Sequence, residues 1–186
     1  MEEITLKKNH YHIFALAVAV LFSVALAIPP SVHAQLMTKK DLLKAWDGMA
    51  EYTLALANKM PADKFDYKPV DELRNFAEQL NHIAGSNYFV GRILGVEGLK
   101  RPSETEKEAV LKDLKDSFDF VKAAIEKTPW EKMTEGIDWF PQGTKKPRFQ
   151  ALLFMIDHLT HTRGISLMYV RMQGIAPPPD NAYKSW

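Results

Sequence analysis

The stretch Thr38–Pro61 reads TKKDLLKAWDGMAEYTLALANKMP and decides the fold class. Thr38 followed by Asp41 is a capping-box pattern at its start, and Pro61 ends the helical pattern. Between them, one set of residues recurs at alternating spacings of three and four, which places the set on one face of an α-helix. The set comprises Leu42, Trp46, Met49, Thr53, Leu56 and Met60. The pattern predicts an amphipathic helix over residues 38–60.

Three further stretches, residues 70–94, 104–126 and 147–173, have the same helical period. Ser103 with Glu106 is a second capping-box pattern, at the start of the third predicted helix. Four amphipathic helices of this length predict an all-α fold, a four-helix bundle. The buried faces predicted for these three helices comprise Leu73, Phe76, Ala77, Leu80, Ile83, Ala84 and Asn87; Val110, Leu114, Phe118, Val121 and Ile125; and Ala151, Phe154, Met155, His158, Thr162, Ile165 and Tyr169.

Two connections, residues 60–69 and 127–146, are longer than minimal turns and rich in aromatic residues. A long loop of this kind in a compact domain is often a lid or a pocket wall. The alternative is that its rings plug the open end of the bundle. Residues 176–186 contain three consecutive prolines and are expected to form an extended tail on the surface. The aromatic loop residues are Phe65, Tyr67, Trp130, Trp139 and Phe140.

The first 34 residues are expected to be a secretory signal peptide. Lys7 and Lys8 precede the apolar run Ile13–Ile28, and Val32–Ala34 provides the small residues of a signal-peptidase site. The run has 16 residues, whereas a membrane span needs roughly 20. Cleavage before Gln35 is therefore favoured over a retained membrane anchor. The mature protein is expected to be periplasmic or extracellular, with residues 35–175 forming the bundle.

The composition excludes several classes of function. The chain has 186 residues, of which 46% are hydrophobic and 25% charged, as in an ordinary globular domain. Its net charge of +1 argues against a general attraction to nucleic acid or to acidic lipid, so neither is an expected partner. The chain has no cysteine, which excludes disulfides, thiolate metal ligands and a cysteine nucleophile.

Three histidines, His82, His158 and His161, remain after the expected cleavage. His158 and His161 are three residues apart, so they project from neighbouring positions on the predicted fourth helix. Imidazoles that converge inside a bundle can hold a divalent metal and leave one position open for water. His82 lies away from the main apolar face of the second helix, and it completes such a site only if it points into a cleft. The alternative is that these residues are hydrogen-bonded core histidines.

Two parts of the chain resemble the DinB/YfiT-like family. Residues 157–164 read DHLTHTRG and are followed by YVR at 169–171 and GIAPP at 174–178, which resembles the last helix of that family. Residues 68–76 read KPVDELRNF and lead to LNHIA at 80–84, which resembles its second helix with its histidine. The resemblance covers nearly all of the expected mature chain, in order.

The resemblance implies an up-down-down-up bundle, often dimeric, in which three histidines at one end bind zinc or nickel. It also implies thiol-dependent transferases and isomerases among the characterised relatives. His82 and His158 match the ligand positions of the family, but the third position falls on Thr162, and His161 lies one residue earlier. The third ligand is then His161 in a shifted geometry, or Thr162 through a water molecule, or the metal function has been lost.

Three functions remain open, and the first is an exported metal-dependent enzyme with the metal on the three histidines. Glu78 or Asp157 would orient a ligand histidine. Arg163 would hold an anionic group of the substrate. The alternative is that it forms a surface ion pair or provides a positive charge near the C-terminus of its helix. Because small reduced thiols are scarce outside the cytoplasm, a hydrolase is at least as plausible as a thiol-dependent transferase.

The second function is a metal-free module that binds a small molecule in an apolar pocket. Tyr67, Tyr88, Trp139 and Phe140 are the residues expected to line that pocket. The third is a structural dimer without a small-molecule site. A fully packed His158 with no cavity beside it would indicate this third function.

Overall fold

The computed structural model describes residues 37–98, 100–139 and 143–179. The expected signal peptide, residue Phe140 and the end of the expected tail lie outside the described residues. The described part is mainly helical, with two short 3₁₀ turns at Ala62–Lys64 and Trp130–Thr134. The long helices are α1 (Lys39–Lys59), α2 (Phe76–Ile93), α3 (Lys107–Lys127) and α4 (Arg148–Met172).

The four helices pack as a bundle, so the predicted all-α fold is confirmed. Helices α1 and α2 each pack against α3 and α4. Between α1 and α3, the indole nitrogen of Trp46 donates a hydrogen bond of 3.0 Å to the carbonyl of Phe118. At the start of α4, Nε of Arg148 donates to the carbonyl of Ile93 at 3.0 Å, at the end of α2. Since the start of one helix lies at the end of the other, α2 and α4 run antiparallel.

Helix α1 begins and is buried as the sequence predicted. The hydroxyl of Thr38 accepts from the backbone N–H of Asp41 at 3.1 Å, and the Asp41 carboxylate accepts from the N–H of Thr38 at 3.0 Å. This reciprocal capping box satisfies two N–H groups that have no partner inside the helix. All members of the predicted faces of α1 and α3 are buried, including Met60 directly after α1.

The predicted starts of α2 and α3 were wrong. Helix α2 begins at Phe76 rather than near residue 70, because Asn75 and Glu78 form a capping box there. Helix α3 begins at Lys107, and its N-cap Glu106 makes no side-chain capping hydrogen bond. The capping box predicted with Ser103 therefore does not mark the start of a helix.

Two residues predicted to be core, Leu73 and Phe154, are exposed by 41% and 52%. Leu73 precedes the first turn of α2, so the helical spacing that assigned it to the buried face does not apply. Phe154 lies on α4, one turn before His158, where the helix borders an open groove rather than a neighbouring helix.

Residues 127–146 contain a short antiparallel ribbon that the sequence did not predict. Strand β1 (Gly136–Trp139) pairs with β2 (Thr144–Pro147), and Gly136 lies opposite Pro147. The Arg148 guanidinium fixes the base of the ribbon through the carboxylate of Glu135, at 2.8 Å. The ribbon therefore depends on a contact with the start of α4.

The other aromatic connection closes one end of the bundle. Phe65 is buried, with its ring 5.3 Å from that of Phe76 in an edge-on contact. Tyr67 contacts Tyr169 on α4 in the same way, at 5.9 Å. At this connection the rings plug the end of the bundle. This is the second of the two roles that the sequence left open, and the first was a lid or pocket wall.

The segment that follows α4 turns back onto the bundle. Gly174 ends the helix with φ of 72°, a left-handed conformation that glycine adopts without strain. The Tyr52 hydroxyl then donates to the carbonyl of Pro178 at 3.3 Å, and Pro178 is buried. The start of the expected surface tail thus packs against α1. Within the described ranges, no helix is both long and apolar enough to cross a membrane.

Candidate functional site

His82 and His158 meet across the antiparallel pair of α2 and α4. Their Nε2 atoms are 3.0 Å apart, and the two rings stand nearly perpendicular, with an interplanar angle of 82°. At this distance one imidazole donates a hydrogen bond and the other accepts it, so the two neutral rings hold opposite tautomers. The sequence left open whether His82 points into a cleft, and its contact with His158 shows that it does.

The surroundings of the pair favour uncharged imidazoles. Both side chains are half-buried, and burial is the main cause that lowers the pKa of His82 and of His158 below 6.5. The positive charge of Arg74 lowers both pKa values further, and that of His161 adds to the effect at His158. Asp157 acts in the opposite direction on His158. Neutral imidazole is the form that binds a metal.

Two of the donors for a divalent metal are therefore in place. Nitrogen ligands of one tetrahedral zinc ion lie roughly 3.3 Å apart, given Zn–N bonds of about 2.0–2.1 Å. The 3.0 Å between the Nε2 atoms of His82 and His158 is close to that separation. His161 is exposed, and in residues 37–98, 100–139 and 143–179 no three His, Asp or Glu side chains come together as a metal-binding group. Among the described residues, the pair therefore provides two nitrogen donors at a separation close to that of zinc ligands, without a third donor.

The three polar residues expected around the histidines have other contacts. Glu78 lines the same groove, but its carboxylate accepts from the backbone N–H of Asn75 at 2.8 Å, in the capping box of α2. The Thr162 hydroxyl is buried and donates to the carbonyl of His158 at 3.0 Å. Asp157 is exposed. In the part of the chain that the structure describes, neither carboxylate hydrogen-bonds to a histidine.

Arg163 is buried inside the bundle. Its side chain is 5% exposed, and the guanidinium lies over the ring of Tyr52 on α1 at 5.4 Å from the ring centroid. This position differs from the surface ion pair considered for it, and Arg163 is not among the residues that line the groove. A cation over an aromatic face is a stabilising contact between helices.

The histidine pair opens into a groove of about 1120 Å³ between α2, α4 and the segment 100–105. Its apolar walls include Phe89 and Phe154, which sequence reasoning missed as site residues. In the sequence, the helical spacing of Phe154 indicated only a buried core position. His158 is only half-buried, and a groove lies beside it. A fully packed His158 with no cavity would have indicated a purely structural dimer.

Of the four aromatic residues expected to line a pocket, the two that are fully described, Tyr67 and Tyr88, are not among the residues that line this groove. Tyr88 is buried with its ring 5.2 Å from that of Phe120, and Tyr67 contacts Tyr169. The Trp139 side chain and Phe140 lie outside the described part of the chain.

The fold and the site together define a class: helical bundles in which imidazoles from two helices meet at an open groove. A family model described as the DinB superfamily matches residues 45–165. The chain belongs to the DinB superfamily, as the resemblance in its last and second helices predicted.

Two solved structures have the same fold. A DinB-like protein from Bacillus cereus is 18% identical, with a TM-score of 0.66 over 74% of this chain and 94% of its own. A DinB-like protein from Bacillus subtilis is 24% identical, with a TM-score of 0.63 and the same two coverages. Among curated proteins no significant match is found.

Proposed function

We propose that this protein is an exported DinB-superfamily enzyme that acts on a small molecule in the groove, with a divalent metal, zinc or nickel, on His82 and His158. The observation that carries the proposal is the 3.0 Å approach of the two Nε2 atoms from separate helices. An exposed groove borders that pair, and neutral imidazoles are metal ligands.

The chain itself performs three tasks in this proposal. The antiparallel packing of α2 and α4 holds the two imidazoles in one orientation, and partial burial keeps them uncharged. Phe89 and Phe154 provide apolar walls that shield the reacting groups from water. When bound, the metal supplies a Lewis acid that polarises an oxygen or sulfur atom of the substrate. Hydrolysis and thiol transfer both use that property.

The proposal predicts metal binding that depends on two histidines and not on the third. Protein purified without a histidine tag or added metal should contain about one zinc or nickel per chain by elemental analysis. His82→Ala and His158→Ala should lose the metal, because each removes one of two protein donors. His161→Ala is the matched control and should retain it, since His161 is exposed and apart from the pair.

Two outcomes would contradict the metal proposal. One is a wild-type protein that contains no metal and takes up none from buffered zinc. The other is a stoichiometric metal in His158→Ala. Loss of metal from His161→Ala would mean that His161 is also a ligand. The site would then have the three histidines that the family resemblance implied.

A second candidate function is metal-free binding of a small molecule in the same groove. It is favoured by the hydrogen bond between the two imidazoles and by the lack, among the described side chains, of a group of three metal donors. In that case a rise in melting temperature on ligand addition should persist in the presence of a strong chelator.

Export and dimerisation are further parts of the proposal. The basic start, the apolar run and the small residues before Gln35 support secretion and cleavage at that site. Mass spectrometry of the secreted chain should give a mature N-terminus at Gln35. Light scattering of the mature protein should give the mass of a homodimer, which is the state that the family resemblance implies.

A further inference from the structure

The groove follows α2 over most of its length. Its lining residues on that helix include His82, Ser86, Phe89 and Arg92, which recur every three or four residues and share one face. At about 1.5 Å per residue, Arg92 lies roughly 15 Å from His82 along the helix axis. The groove therefore has two ends, with the histidine pair towards one and Arg92 at the other.

The end beyond the histidines is acidic. Glu72 and Glu78 line it together with a single cation, Arg74. Glu104 also lines the groove, and its backbone carbonyl accepts a hydrogen bond of 2.7 Å from the side-chain amide of Asn81. Two lining glutamates against one guanidinium disfavour an anion at this end relative to the other.

The opposite end is basic. Arg92, Lys100 and Arg101 line it. Lys100 forms an ion pair with Asp113, which offsets its charge. Within the described residues, the side chains of Arg92 and Arg101 have neither an ion pair nor a hydrogen bond, and both are exposed. Two guanidinium groups that have no partner among the described residues suit a carboxylate, which arginine binds through paired hydrogen bonds.

The middle of the groove is apolar. Phe89 on α2 and Phe154 on α4 flank it. Gly85 also lines this section, and a Cβ atom added there would lie 3.9 Å from Cδ of Pro102, so Gly85 and Pro102 pack side by side in the groove wall. A methyl group would make an ordinary contact at that distance, whereas a larger side chain would displace Pro102 or extend into the groove.

We propose that the groove binds an elongated organic acid, with its carboxylate at Arg92 and Arg101, its apolar body between Phe89 and Phe154, and its other end at the histidine pair. Only the reaction at the histidine end rests on the proposed function. The orientation follows from charge, since a carboxylate at the acidic end would face Glu72 and Glu78.

Binding of three simple probes tests the charge preference. Decanoate, decanol and decylammonium share one apolar chain and differ only in the head group. By isothermal titration calorimetry at low salt, the protein should bind decanoate at least about tenfold more tightly than decanol, as expected for charge-assisted hydrogen bonds. Equal affinities, no binding of decanoate, or a preference for decylammonium would each overturn the proposal.

The two arginines should account for that preference. The double variant Arg92→Gln, Arg101→Gln should lose about tenfold or more in decanoate affinity and leave decanol unchanged. Arg171→Gln removes the same charge from an exposed position of α4 outside the groove and should bind decanoate as the wild type does. An unchanged decanoate affinity in the double variant would place the anion elsewhere.

Gly85 tests whether the ligand lies along the middle of the groove. Gly85→Leu should abolish decanoate binding, because its side chain would extend into the groove or displace Pro102 from the groove wall, and Gly85→Ala should retain it. Melting temperatures establish that both variants are folded. Decanoate binding by folded Gly85→Leu would contradict the placement. Metal analysis of the same samples separates the two proposals, because the organic acid can bind to a protein that holds no metal.

Discussion

At the residue scale, the histidine pair shows what a single sequence can and cannot predict. The sequence singled out His82 and His158 through a resemblance and a helical spacing. It left open whether His82 faced a cleft, since that depends on how α2 and α4 pack. The antiparallel contact of α2 and α4 is fixed at one end by the hydrogen bond from Arg148 to the Ile93 carbonyl. This packing places His82 in the cleft. A water-assisted role for Thr162 was one of three alternatives for the third ligand, and only the structure shows its hydroxyl donating to the His158 carbonyl.

The lowered pKa values of the pair predict a pH dependence of stability at this scale. Both pKa values lie below 6.5 in the folded state, chiefly through burial. As pH falls through 6.5, the unfolded chain therefore takes up protons before the folded one. The free energy of unfolding of the metal-free protein should be highest above that pH and should decrease as pH falls through the folded pKa values.

Urea unfolding in the presence of a chelator, from about pH 8 to about pH 5, measures this decrease. His82→Gln, His158→Gln is the informative variant, because it removes both titrating groups and should flatten the profile. His161→Gln removes an exposed imidazole whose charge lowers the pKa of His158, and it should change the profile less than the double variant does. A double variant with the wild-type slope would assign the pH dependence to other groups.

At the element scale, two glycines of α2 predict opposite effects of the same substitution. A Cβ atom at Gly91 would lie 2.0 Å from the Phe120 ring, whereas one at Gly85 meets only Pro102, at 3.9 Å. Gly91→Ala should reduce the free energy of unfolding by about 1–3 kcal/mol through overpacking. Gly85→Ala should increase it by up to about 1 kcal/mol, because alanine is the better helix former.

Chemical denaturation of the two variants at one pH provides the comparison. Moving the Phe120 ring aside would disturb its contact with the ring of Tyr88, at 5.2 Å between centroids. Equal changes in the free energy of unfolding of the two variants would mean that the Phe120 ring moves aside and that the packing at Gly91 is loose.

The helices themselves were the most predictable elements. The faces of α1 and α3 followed from spacing because each is buried along its whole length. The start of α2 was misplaced although its capping box, Asn75 with Glu78, is visible in the sequence. The ribbon β1–β2 had no such signal. Its strands are four residues long, and Arg148 holds its base from outside the ribbon.

At the scale of the whole molecule, the groove was the least predictable feature. It is built by α2, α4 and the segment 100–105, which are separated in sequence and meet only in the folded chain. Phe154 was assigned to the core because an apolar side chain that borders a groove has the same spacing as one that is packed. The opposite charges at the groove ends likewise arise from residues on different elements.

The central claim is that His82 and His158 together form one metal site. Imidazole ¹⁵N NMR during titration with zinc tests it most directly. The metal-free protein should show opposite neutral tautomers for the two rings, and stoichiometric zinc should shift both Nε2 resonances together while those of His161 stay unchanged. A shift confined to one ring of the pair, or a shift at His161 in place of the pair, would contradict the claim.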